Sequence, residues 1–159
     1  MSQEMVQEKV NWSAVAQKWD ALTSGATINH KLAKKLAKVL FWVSLNVAVN
    51  GNDLFEMWKQ INVSDRITHR EVVELIEDVD VAVSVFLWSL QDANLVDLVS
   101  PTLIARDEGS DVVELAWGVV YGSRKRYLVL RITQRGIVTK TRVKFSGNIL
   151  HGFAVAAFG

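Results

Sequence analysis

Apolar residues recur at helical spacing through roughly the first hundred positions and at strand spacing after that. Trp12, Val15, Trp19 and Leu22 form one stripe behind Asn11, a good N-cap, and Ser24-Gly25 stops the segment. A second helix is expected over residues 28–49, closed by Asn50-Gly51, and a short third over 53–61 with Asn52 as its cap. Thr68-His69-Arg70-Glu71 is a T-x-x-E capping box, followed by Val72, Ile76, Val79, Val83, Phe86 and Leu90 at three- and four-residue steps. The stretch 79–85 also alternates at period two and could be read as a strand. The capping box and the turn that follows it favour one long helix over 69–91. Residues 94–99 add a further turn before Ser100-Pro101, and 106–111, with Gly109-Ser110, read as the loop dividing the two halves.

Beyond that loop the residues turn β-branched or aromatic, and three strands are expected over 112–121, 126–133 and 137–146. The turns would lie at 122–125 and at Arg135-Gly136. A two-residue turn at Arg135-Gly136 sets Arg131 opposite Lys140, Val129 opposite Arg142 and Tyr127 opposite Lys144. Leu128, Leu130, Ile132, Val143 and Phe145 then share the other face. Across the first hairpin Leu115, Trp117 and Val119 join that apolar face, while Ala116 and Gly118 join the basic one. One α+β domain over 1–159 follows. Its N-terminal part, residues 1–105, holds about four helices packed on one face of a three- to four-stranded antiparallel sheet in 112–159. The end of the chain, with Ile149, Leu150, Phe153, Val155 and Phe158 and no charge, reads as a fourth strand, an element docked on the core, or a subunit interface.

Half of the 159 residues are apolar, enough for a core that needs no staples, and no cysteine is present. Disulfides, thiolate zinc sites, iron–sulfur clusters and cysteine nucleophiles are thereby excluded. Glu4, Glu8 and Lys9 interrupt the start where a secretory leader needs an apolar stretch, and the longest apolar run, 39–49, is broken by Ser44 and Asn46. A cytoplasmic, non-membrane protein is the expectation. The net charge of +1 conceals an asymmetry. All 17 acidic residues and 10 of the 18 basic ones precede residue 115, a net of −7, and the remaining 8 basic residues follow with no acid among them. A block of this kind suggests an anionic partner, unless the protein's own acidic half neutralises it.

Catalytic chemistry finds little support. His30, His69 and His151 lie far apart, no phosphate-cradling or nucleophile-elbow motif occurs, and no Ser or Thr has a visible activating partner. Glu74, Glu77, Asp78 and Asp80 read as an exposed acidic helix face. No catalytic residue, metal, cofactor or small-molecule substrate is assigned, and the protein is read as non-enzymatic.

Two basic surfaces remain. The first is the hairpin face, with Arg131, Lys140, Arg142 and Lys144 beside an exposed Tyr127, the Arg124-Lys125-Arg126 turn at its edge and Arg135 at its tip. Arg131 against Lys140 would repel, a strain that phosphates would relieve. The second is the stripe Lys31, Lys34, Lys35 and Lys38, continued by Trp42, beside an apolar stripe of Leu32, Leu36, Val39, Leu40 and Val43. It fits a solvated helix side or an extension of the anion site better than a membrane-surface helix, since past Lys38 the helix is apolar all round. The resulting expectation is a nucleic-acid-binding protein, RNA or single strand favoured, gripping phosphate through the hairpin. The competing one is an adaptor that self-assembles into a homo-oligomer through its six tryptophans and through Phe153, Val155 and Phe158.

Overall fold

The computed structural model describes residues 11–24, 27–98, 105–108, 112–122 and 124–139, with the backbone course alone at 22–24, 97–98, 105–108 and 124–125. Four helices, α1 (Trp12–Ser24), α2 (Lys31–Ala48), α3 (Leu54–Trp58) and α4 (His69–Asp92), are joined by six strands. These are β1 (Asn62–Ser64), β2 (Val96–Leu98), β3 (Ala105–Glu108), β4 (Val112–Tyr121), β5 (Arg124–Thr133) and β6 (Gly136–Thr139). The fold is α+β, with helices on one face of an antiparallel sheet of order β1-β6-β5-β4-β2, and β3 also pairs with β4.

Local chemistry sets the helix starts. The Asn11 carboxamide accepts from the Ala14 amide at 3.1 Å, capping α1. The capping box at α4 is complete: Glu71 N–H donates to the Thr68 hydroxyl at 3.2 Å, and Thr68 N–H donates to the Glu71 carboxylate at 3.1 Å. That box outweighs the period-two pattern of 79–85, which is helical throughout. The cap of α3 is Asp53 rather than Asn52, because its carboxylate reaches both the Phe55 and Glu56 amides. Residues 96–98 and 106–108, expected as a helical turn and part of a loop, instead pair with β4. The open edge of a ten-residue strand takes up short segments that have no periodicity of their own.

Helices α2 and α4 run in the same direction. His30, which caps α2, bonds Glu71 in the first turn of α4, and Ala48 at the end of α2 packs on Ala93 beyond the end of α4. Together they cover the sheet face carrying Val113, Leu115, Trp117, Leu128, Leu130, Ile132 and Ile137, all in one core with Leu36, Leu40, Leu75 and Phe86. Each such side chain contributes about 1.5–3 kcal/mol on burial. The division of faces therefore follows the alternation. Trp117 adds a polar tie, its indole N–H donating to Asp80 of α4 at 3.2 Å.

The β5–β6 register differs from expectation. Thr133 pairs with Gly136, so the turn is Gln134-Arg135, and Arg131 faces Val138 instead of Lys140. Gly136 belongs to the strand because β1 crowds it: at φ 133°, a Cβ there would meet the Val63 carbonyl and lie 2.9 Å from the Ser64 Cα. The shift is two residues, so side-chain faces are preserved but the like-charge pair is not formed. Among the described residues no helix is long and apolar enough to cross a membrane.

Candidate nucleic-acid interface

The hairpin face is neither open nor uniformly positive where it is described. Ala116 and Val129, which lie on it, are fully buried. Glu114 stands directly opposite Arg131, and the Arg131 guanidinium donates to its carboxylate at 2.8 Å. Glu114 is itself buried while Arg131 is 41% exposed, so the pair is a charge-assisted contact at the rim of a covered surface. The expectation of a sheet face without acid is corrected here. The alternation that put Ala116 and Gly118 on that face puts Glu114 there too.

Neighbouring candidates are spoken for as well. Arg126 pairs with Val119 on the opposite, helix-side face, and its guanidinium stacks over Phe55 at 5.2 Å, with Tyr121 edge-on to the same ring. Tyr127 is only partly exposed, its hydroxyl is buried, and desolvation pushes its pKa above the usual tyrosine value, so it is no exposed stacking platform. The side chains of Arg124 and Lys125, together with Lys140, Arg142, Lys144, Phe153, Val155 and Phe158, lie outside the described residues.

The second basic surface is open. On α2 every position from Leu32 to Val47 that faces the core is buried, which leaves Lys31, Lys35, Lys38 and Trp42 as the exposed ridge. At 3.6 residues per turn these four fall within an arc of about 60°, with Lys34 at its margin. Of these lysines, among the described residues, Lys35 alone makes an ion pair, to Asp65 at 3.7 Å. Trp42 is 55% exposed, the most exposed large apolar side chain described.

This ridge meets the hairpin tip at the loop after β1. The Asp65 amide donates to the Arg135 carbonyl and the Ile67 amide to the Gln134 carbonyl, both at 3.0 Å. An open depression of about 420 Å³ is lined there by Ser64, Asp65, Arg66 and Arg135. Arg66 and Arg135, both exposed, thus share this depression with Asp65, the residue that pairs with Lys35. Sequence reasoning named Lys35 and Arg135 on separate surfaces and missed Arg66. A lone arginine in a polar connector carries no periodic signal, and only the pairing of β1 with β6 brings it to the hairpin tip.

Where α2 and α4 begin, His30 Nδ1 accepts from the Leu32 amide at 3.0 Å, so Nε2 carries the hydrogen and donates to Glu71 at 2.7 Å. Asp78 accepts from the Asn29 and His30 amides at 3.1 Å each. The bond from His30, then that from the Thr68 amide, hold the Glu71 carboxyl below the usual carboxylate range. The acidic side chains of α4 thus fasten the helix starts together as well as facing solvent. Among the described residues no group of three or more His, Cys, Asp or Glu is placed to hold a metal ion. Comparison with protein-family models, with curated proteins and with solved structures returns no match for this chain.

Proposed function

We propose that the protein is a non-enzymatic nucleic-acid-binding protein whose phosphate grip is the ridge of α2 joined to the Arg66–Arg135 corner, rather than the hairpin face. The observation that carries this reading is the ridge itself: Lys31, Lys35 and Lys38 point outward along one helix line with Trp42 at its end. Asp65 is the one described carboxylate in contact with them. Lysines held at one-turn intervals by a helix whose opposite face is packed in the core form a fixed cationic strip, which suits a linear polyanion.

The test is anisotropy of a labelled 20-nucleotide RNA titrated at several salt concentrations. With about four to six phosphate contacts, log K should fall against log salt with a slope of roughly −3 to −4 for a single strand. Lys31→Glu combined with Lys38→Glu should weaken binding by about 30- to 100-fold. A flat salt response, or full affinity in the double variant, overturns the proposal.

A further inference from the structure

We infer that Trp42 is the stacking platform for an unpaired base, so that the α2 ridge binds single-stranded nucleic acid in preference to duplex. The inference rests on the nucleic-acid reading above and deepens it. Trp42 lies one turn beyond Lys38 on the same exposed line, about 6 Å further along the axis. With Leu40 and Val43 buried, the Trp42 indole is left 55% exposed, which leaves more than half of its surface available to a planar partner. Stacking on an indole is indifferent to which base is present, but it requires that the base be out of a duplex.

The chemistry beyond Trp42 changes from cationic to neutral amide. Asn46, one turn further on, donates to the Trp42 carbonyl at 2.9 Å and accepts at its own carboxamide oxygen from Asn50 at 3.1 Å and Asn52 at 3.4 Å. Asn50 and Asn52 are exposed. The ridge thus presents ammonium groups, then an aromatic face, then carboxamides able to donate to and accept from a base edge. That order matches a strand whose backbone runs along the lysines and whose terminal base turns onto the indole.

A lipid surface would also attract lysines and a tryptophan, but an amphipathic membrane helix must offer an apolar face to the bilayer. Here Leu32, Leu36, Leu40 and Val43 are at most 1% exposed inside the core, leaving the indole alone to insert. Nucleic acid is therefore the favoured occupant.

Four probes separate the outcomes: a 20-nucleotide RNA, the same length of abasic strand, the corresponding duplex, and vesicles of mixed phosphatidylserine and phosphatidylcholine. Trp42→Ala should weaken RNA binding by about 5- to 100-fold and leave abasic and duplex binding within twofold. RNA should quench tryptophan emission in the parent chain and in Trp88→Ala, whose exposed indole is on α4, but not in Trp42→Phe. Equal losses on RNA and abasic strand, no loss on RNA, or tighter binding to vesicles than to RNA each overturn the inference. If Trp42→Ala is silent while the lysine reversal still weakens binding, the function stands and the stacking role falls. If the parent chain binds no nucleic acid at all, both fall together. An unchanged melting temperature for Trp42→Ala confirms that the fold is intact.

Discussion

The outer line of α2 and the second face of the β4–β5 ribbon both read as cationic strips, and they end with opposite character. On α2 the lysines project from a helix whose opposite side is buried in the core, and one of the four is ion-paired among the described residues. On the ribbon Arg131 is neutralised by Glu114, Ala116 and Val129 are buried, and Arg126 has gone to the other face to stack on Phe55. A helix settles most of its own exposure, because once one stripe is committed to the core the opposite stripe is outside by geometry. A strand settles only which side chains share a face. What lies over that face, and which residue stands across from each, is decided by the rest of the chain.

Damage to the sheet should sharpen this contrast most. Gly136→Ala places a side chain against the Val63 carbonyl at a backbone conformation nearly reserved for glycine, and should cost about 3 kcal/mol. In thermal unfolding that is a drop of roughly 6–12 °C. Arg131→Met is expected to destabilise by about 1–3 kcal/mol, because it removes the charge-assisted hydrogen bonds to a largely buried carboxylate. Its affinity for RNA should stay within twofold of the parent, whereas the lysine reversal on α2 should do the reverse. A large loss of RNA affinity in Arg131→Met with stability intact would return the binding site to the hairpin.

The smallest effect concerns the shared start of α2 and α4. The folded-state pKa of Glu71 is depressed, so its contribution is present above the unfolded carboxylate value, near 4.5, and disappears as pH falls through the lower folded value. Urea midpoints measured from pH 6 to pH 3 should therefore fall less steeply in Glu71→Gln than in the parent. Parallel curves would mean that the His30 bond gives the carboxylate no advantage over an amide.

The helices were the most legible part. Thr68 and Glu71 announce α4 through their own hydrogen bonds, and Asn11 does the same for α1, because caps are closed by residues three positions apart. The α2 ridge was legible for a similar reason, with Trp42 recognisable as continuing the lysine line. The face division of β4 and β5 was also readable, yet Glu114 was overlooked although its parity placed it beside Arg131. The two-residue error at the hairpin tip had no local remedy. Arg135-Gly136 is an acceptable turn in isolation, and the glycine is needed elsewhere only because β1 passes against it. The tryptophans divide in the same way: Trp19, Trp58 and Trp117 are buried, whereas Trp42 and Trp88 are exposed.

Periodicity and capping were enough to establish an α+β chain, the long helix α4 and an outward lysine line, since each depends on contacts within a few residues. The meeting of that line with Arg66 and Arg135, the cancellation of Arg131 by Glu114, and the recruitment of residues 62–64, 96–98 and 105–108 into one sheet came from tertiary structure. Each joins segments distant in sequence, where no local pattern says which partner will be found.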